Sequence, residues 1–144
     1  MNRICFVVLA LPLLSAASPV VPTASLQVDL VALRNTRGLV HACLTRDPTH
    51  FPDCKDDPTA IERSAPAAAG VVRFTGVPAG RYALSVFHDE NANHKLDTFI
   101  GIPREGFGFS RNPVIRFGPP RFEQVSMQLP AGFTRTSVRM QYLL

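Results

Sequence analysis

The sequence lacks the local motifs that mark common hydrolases and nucleotide-binding proteins. It has no Gly-x-Ser-x-Gly elbow, no His-Glu-x-x-His pair and no glycine-rich turn ending in Gly-Lys-Ser or Gly-Lys-Thr. It also lacks a strong charge of one sign, because 15 lysines and arginines face 11 aspartates and glutamates. The basic residues are dispersed among carboxylates and apolar residues, which indicates a solvated surface and argues against nucleic-acid binding.

Long apolar runs are absent except at the start of the chain, and that run is too short to span a bilayer. Ile4–Leu14 contains about eleven residues, whereas a membrane-spanning helix needs about 20. Arg3 precedes the run and the small residues 15–17 follow it, which is the pattern of a cleavable signal peptide. The sequence predicts a signal peptide over residues 1–17 and a single exported domain, without an integral membrane segment, over residues 18–144.

Cysteine is scarce, and one of the three, Cys5, lies in the predicted signal peptide. The remaining pair, Cys43 and Cys54, would enter an oxidising compartment, where such pairs form disulfides. Pro48 and Pro52 lie between them in a turn-rich segment that can bring its ends together. Their spacing fits no zinc motif. We predict a Cys43–Cys54 disulfide, worth about 3 kcal/mol in the chain-entropy account.

No long helical period appears, and the exported part consists of short alternating runs separated by Gly, Pro, Asn and Asp. Leu26–Leu30 and Leu39–Leu44 are two such runs, and the turn residues 34–38 between them predict a hairpin. A short helical turn could form within residues 56–69. Further strands are predicted at Val71–Val77, Tyr82–Val86, Val125–Leu129 and Val138–Tyr142, with a seventh around Val114–Phe117. This pattern predicts an all-β, antiparallel two-sheet sandwich of about seven strands, immunoglobulin-like or transthyretin-like.

A long loop over residues 88–112 is the least generic part of the chain. Loops beyond about 15 residues in compact domains are usually functional or disordered, and the many apolar side chains here argue against disorder. We therefore expect this segment to form an ordered end of the sandwich. The apolar residues are Phe99, Ile100, Ile102, Phe107 and Phe109.

Oxygen-bearing side chains recur at alternate positions early in this segment. Counted from Asp89, the residues Asp89, Asn91, Asn93 and Asp97 occupy positions 1, 3, 5 and 9, and the backbone carbonyl of Lys95 falls at position 7. EF-hand-like loops wrap calcium with this spacing, because alternate residues of a curling backbone point to one centre. The spacing predicts a calcium loop over residues 89–97.

Three departures from that pattern leave a metal-free loop as an equal alternative. His94 stands at position 6, where calcium loops use Gly, and would have to adopt a left-handed conformation. Ile100 at position 12 supplies no closing carboxylate, and Glu90 at position 2 would face away from the ion. The same side chains could hold the loop through Asx turns instead. Copper or zinc bound by His88 and His94 lacks a third well-spaced ligand.

The second part of the segment interleaves glycines with phenylalanines. In one interpretation, Phe107 and Phe109 seal the end of the sandwich. In the other, they form an aromatic patch, flanked by Arg104 and Arg111, that binds a peptide, a glycan or a partner protein of the cell envelope. The sequence leaves both open.

A non-catalytic binding or structural module of unknown ligand is the function that these observations favour. We expect no enzyme activity. The catalytic alternative is a hydrolase that uses His88 with the neighbouring carboxylate Asp89 or Glu90 as an acid–base group. The other alternative is an envelope subunit that pairs with its partner through a sheet edge.

Three segments together resemble domain of unknown function 2141, an uncharacterised family of exported bacterial β-sandwich proteins. They are Gly76–Leu84, His88–Asp97 and Gly101–Ser110, which read GVPAGRYAL, HDENANHKLD and GIPREGFGFS. The resemblance implies a periplasmic or secreted bacterial protein and supplies no reaction. It also implies that relatives carry Gly in the place of His94, so this chain would hold an ion less tightly than they do. The motif positions carried over are Asp89, Asn91, Asn93 and Asp97.

Overall fold

The computed structural model describes residues 18–144, and the predicted signal peptide over residues 1–17 lies outside them. Strands dominate the described part. Its ten strands are β1 Thr23–Val31, β2 Leu39–Thr45, β3 Ile61–Pro66, β4 Val71–Pro78, β5 Gly80–Asp89, β6 Thr98–Phe99, β7 Ile102–Pro103, β8 Gly106–Phe109, β9 Met127–Leu129 and β10 Gly132–Arg139. A 3₁₀ turn, Ala67–Ala69, and a short helix α1, Phe122–Val125, complete it. No helix in this part of the chain is long and apolar enough to cross a bilayer.

Two sheets pack around one apolar core, which confirms the all-β sandwich. The first sheet has the order β10–β1–β4, and the second has the order β3–β2–β5–β8, with β9 paired to the start of β5. Leu26, Val28 and Phe74 of the first sheet are buried against Val40 and Leu84 of the second. Every second side chain along β1 enters this core, because successive side chains of a strand point to opposite faces.

The predicted hairpin between residues 26–30 and 39–44 is wrong. β1 and β2 lie in different sheets, and β1 pairs with β4 and β10. Alternation could not separate these cases, because two strands show the same pattern whether they are neighbours in one sheet or face each other across the core. The connection passes close to the end of β5, where a side chain on Gly38 would collide with the carbonyl of Asp89.

One strand pair departs from the predicted antiparallel arrangement. β1 and β10 run parallel, from Ala24 opposite Gly132 to Val31 opposite Arg139. Parallel neighbours need a crossover connection, and here the intervening strands supply it. Apolar alternation carries no information on strand direction, so the sequence could not reveal this pair.

The strand count exceeds the predicted seven because short strands form inside the predicted loop. β6, β7 and β8 all lie within residues 88–112. Strands of two to four residues are too short to show alternation. Residues 114–117 form no strand, and Val114 and Phe117 are exposed. The segment over residues 56–69 contains β3 as well as the 3₁₀ turn.

The Cys43–Cys54 disulfide is present, which confirms the predicted pair. Its Cα atoms are 6.6 Å apart, within the usual range, and it ties β2 to the loop that follows. The Thr45 hydroxyl makes a second tie when it donates to the Asp57 carboxylate at 2.5 Å. The loop between β2 and β3 is therefore fixed to β2 by the disulfide and by hydrogen bonds of the Thr45 hydroxyl.

Candidate metal centre at the end of β5

The motif residues lie where β5 leaves the second sheet. β5 ends at Asp89, the chain turns through residues 90–97, and β8 returns antiparallel beside β5 after the β6–β7 hairpin. Phe107 of β8 lies opposite Phe87, and Gly106 lies opposite His88. This register brings the residue before β8, Glu105, next to the loop.

Glu105 closes the loop over residues 89–97 at both of its ends. Its side chain is buried, with Oε1 accepting the Glu90 N–H at 2.8 Å and Oε2 accepting the Asp97 N–H at 3.0 Å. The Arg104 N–H adds a bond to the Asp97 carbonyl at 2.8 Å. Sequence reasoning missed Glu105, although a lone carboxylate among glycines and phenylalanines beside a calcium-like loop was an available signal.

The predicted oxygen ligands converge on one another. The amide oxygens of Asn91 and Asn93 accept the N–H groups of Asn93 and Lys95 at 3.1 and 2.9 Å. The amide nitrogens of the same two residues donate to the Asp97 carboxylate at 2.7 and 3.0 Å. The side chains at positions 3, 5 and 9 thus meet in one cluster, within a chain of Asx turns.

Two details of the loop follow the sequence pattern. His94 at position 6 adopts the left-handed conformation, with φ 62°. Glu90 at position 2 points away from the loop and pairs with Arg34 at 2.6 Å and with the Asn35 amide at 2.6 Å. Burial raises the pKa of Glu90, but the bonds from Asn35 and Arg34 outweigh it, so its pKa lies below the usual value. Glu90 therefore anchors the β1–β2 connection and is not a ligand of the loop.

Asp89 is a fully buried carboxylate with three donors. Oδ1 accepts the Asn93 N–H at 3.0 Å, and Oδ2 accepts the His94 N–H at 2.7 Å. The ring of His41 approaches Oδ2 at 3.0 Å through Nε2. Burial raises the pKa of Asp89, but the bonds from His41, His94 and Asn93 outweigh it, so its pKa lies below the usual value. Asp89 thus stays ionised inside the protein at neutral pH.

His41 is a site residue that sequence reasoning missed. It lies in β2 between Ser64 of β3 and Phe87 of β5, and its ring stacks on Phe87 at 4.7 Å. Its Nδ1 contacts the Ser64 hydroxyl at 2.7 Å, and its ring centroid is 5.2 Å from that of His94. Only the strand pairing brings β2 beside the end of β5, so no local spacing could have identified this histidine.

His88 does not have the surroundings that the hydrolase alternative requires. Its ring is fully buried on the opposite side of β5 from Asp89. Nδ1 contacts the Tyr142 hydroxyl at 2.9 Å, and Nε2 contacts the Arg37 carbonyl at 2.7 Å. Neither carboxylate pairs with His88, because Asp89 faces the other side of β5, the Glu90 carboxylate is bound by Arg34 and Asn35, and both His88 ring nitrogens have other partners.

The phenylalanines of β8 are buried, which corrects the aromatic-patch interpretation. Phe107 and Phe109 pack in a second apolar cluster with Ala83, Phe122 and Val125. Arg104 and Arg111 are exposed, but without the phenylalanines they form no aromatic surface for a partner. The exposed apolar side chains of the segment are Leu96 and, on the β6–β7 hairpin, Phe99, Ile100 and Ile102.

Asp89 joins two sets of metal-compatible groups. On one side lie the oxygens of Asn91, Asn93 and Asp97, a set suited to a hard cation such as calcium. On the other side, His41 and His94 each offer a ring nitrogen, and these atoms and an Asp89 oxygen all lie within 4.8 Å of one another. The site therefore has two parts, the oxygen-rich loop and the imidazoles of His41 and His94, and both parts contact the Asp89 carboxylate.

Comparison with known proteins identifies one family. The family described as "uncharacterized protein conserved in bacteria" (DUF2141) has a model that matches residues 28–137. This match covers most of the sandwich, from within β1 to within β10, and the whole candidate centre. No curated protein and no solved structure matches the chain.

Proposed function

This chain belongs to the DUF2141 family of uncharacterized proteins conserved in bacteria, and we propose that it is an exported, non-catalytic binding module whose loop over residues 89–97 holds calcium. The predicted signal peptide and the Cys43–Cys54 disulfide support export, because disulfides persist in oxidising compartments. The bacterial periplasm or the external medium meets this condition. The ion would fix the end of the sandwich as a surface for an envelope protein, peptide or glycan.

The convergence of Asn91 and Asn93 on the Asp97 carboxylate carries this proposal. Calcium takes six to eight oxygens at about 2.3–2.6 Å, and three candidate side chains already meet within hydrogen-bonding distance. Each amide oxygen accepts one backbone N–H and keeps a second lone pair for a cation. Calcium would replace the two amide N–H groups as the partner of the Asp97 carboxylate.

The charge and the framework of the loop also suit a divalent cation. Asp89 is ionised, and Asp97 supplies a second carboxylate to the loop. Glu105 holds the first and last parts of the loop through backbone N–H groups. The ligands are therefore organised before the ion arrives, which reduces the entropy cost of binding.

Thermal unfolding with calcium and with a chelator tests the proposal. Saturation at 100 times the Kd should stabilise the fold by about 2.7 kcal/mol. Asp97→Asn should abolish the calcium effect. Asp53→Asn is the matched control, because Asp53 also makes an Asx turn, to the Lys55 N–H at 3.2 Å, but lies outside the loop. A wild-type protein that melts identically in millimolar calcium and in chelator contradicts the proposal.

A hydrolase is the second candidate, and one chain of contacts supports it. The His41 ring links the Ser64 hydroxyl at 2.7 Å to the Asp89 carboxylate at 3.0 Å. A serine, a histidine and a carboxylate linked in this order serve as nucleophile, base and orienting group in acyl-transfer enzymes. A fluorophosphonate probe that labels the wild type but not Ser64→Ala would support this function. Absence of labelling on the folded wild type would contradict it.

A further inference from the structure

We propose that His41, Asp89 and His94 form a binding site for a divalent first-row transition metal of the zinc class. One nitrogen of each imidazole and one oxygen of the carboxylate lie within 4.8 Å of one another. This inference goes beyond calcium in the loop and does not depend on it, since the two histidines contribute nothing to the oxygen cluster around Asp97.

The closest pair of atoms already has the spacing of two adjacent metal ligands. His41 Nε2 and Asp89 Oδ2 are 3.0 Å apart. Ligand atoms placed about 2.0–2.2 Å from zinc, at tetrahedral or octahedral angles, are separated by about 3 Å. A metal ion can therefore bind this nitrogen and this oxygen when the imidazole proton moves to Nδ1, where the Ser64 hydroxyl oxygen accepts it.

His41 and Asp89 are each held in place by contacts with neighbouring groups, as metal ligands usually are. The second nitrogen of His41, Nδ1, contacts the Ser64 hydroxyl at 2.7 Å, and Phe87 stacks on the ring. The Asp89 carboxylate is held by the N–H groups of Asn93 and His94. These contacts set the orientation of both ligands before any metal binds.

His94 is the third ligand and the exposed one. Its backbone is tied to Asp89, which keeps the side chain beside the site, while its exposed imidazole has room to rotate toward the ion. The left-handed φ of 62° is costly for a residue with a side chain. Strain of this kind gathers at functional sites, and a ligand role gives a reason for histidine at a position that suits glycine.

The donor set determines the class of ion. Imidazole nitrogen suits zinc, copper, nickel and iron, whereas calcium and magnesium prefer oxygen. Three protein ligands also leave at least one coordination position open. A water molecule or a side chain from a partner could occupy that position from the side of His94, which is the exposed ligand of the three.

Zinc titration of the purified, disulfide-bonded protein in excess calcium tests the site. We expect one zinc ion per chain. His41→Gln and His94→Gly should each weaken zinc binding by more than about 100-fold, and Ser64→Ala, which removes only the support of His41, by about 10–100-fold. His94→Gly is the decisive variant, because glycine tolerates the left-handed backbone and the fold will be retained.

Two controls separate this site from other zinc binding. His50→Gln removes another partly exposed histidine, outside the site, and should leave the zinc affinity unchanged. Asp97→Asn should abolish the calcium response and spare zinc, so failure of one proposal is distinguishable from failure of the other. Zinc affinity that is unchanged in folded His94→Gly and His41→Gln, or that falls equally in His50→Gln, overturns the inference.

Discussion

The Glu105 carboxylate spans the loop over residues 89–97 by accepting the Glu90 N–H through one oxygen and the Asp97 N–H through the other. Glu105 is buried, so the loss of either bond would leave a donor without its partner in a poorly solvated site, which is costly. This single side chain sets the distance between the ends of the loop, and hence the geometry of its oxygen cluster.

Replacing Glu105 should destabilise the fold and weaken cation binding together. Glu105→Ala leaves two N–H groups without their acceptor, at a cost of about 1–3 kcal/mol each if they stay buried. Urea unfolding measures this cost. Glu123→Ala, at an exposed position, is the control and should change stability little. Equal stability of Glu105→Ala and wild type would show that the carboxylate does not support the loop.

Reduction of the Cys43–Cys54 bond should lower stability without changing the fold. Its sequence separation of 11 residues corresponds to about 3 kcal/mol in the chain-entropy account. Urea unfolding with and without reductant, and of a Cys43→Ala/Cys54→Ala variant, measures the difference. The reductant should have no effect on the double variant. If neither reduction nor the double substitution changed the urea midpoint of unfolding, this prediction would be contradicted.

The Asp57 carboxylate should make the folding stability depend on pH. The Thr45 hydroxyl bond is the main cause that lowers the pKa of Asp57 from 3.8 to about 2. Because the folded-state pKa lies below the unfolded one, the stabilisation is present above about pH 4 and is lost as the pH falls toward 2. Asp57→Asn should lose less stability over this window than the wild type. Parallel pH profiles of the two proteins would argue against the contribution of Asp57.

His94→Gly should stabilise the metal-free protein. A left-handed conformation costs a side-chain-bearing residue about 1–2 kcal/mol, and the extra freedom of unfolded glycine offsets about 0.5–1 kcal/mol of that gain. The net increase in unfolding free energy should be up to about 1.5 kcal/mol. Lys95→Gly is the matched control, because Lys95 is not in the left-handed region and should only lose stability. If His94→Gly were less stable than the wild type, the left-handed conformation of His94 would not be a source of strain.

Local patterns in the sequence predicted the sandwich, the disulfide and the cluster of Asn91, Asn93 and Asp97. Each depends on residues close in sequence, where alternation, cysteine spacing and loop spacing carry information. The left-handed His94 was predictable for the same reason, since its place in the loop pattern demands that conformation.

Long-range strand pairing determined what the sequence could not reveal. His41 reaches Asp89 only because β2 pairs with β5, and Glu105 reaches the loop only because β8 returns beside β5. The wrong prediction of a hairpin between β1 and β2 has the same origin, because alternation does not indicate which strands are neighbours. The surroundings of His88 have the same origin, because its ring contacts Tyr142 and Arg37, which are distant in sequence.

Calorimetric titration of calcium into the wild type and into Asp97→Asn tests the proposed cation loop most directly. We expect one calcium ion per wild-type chain, with a Kd in the range of about 10⁻⁴–10⁻³ M typical of extracellular modules. We expect no saturable binding to the folded variant. A wild type with no saturable binding at concentrations well above that range, or a variant that binds as tightly as the wild type, would contradict the proposal.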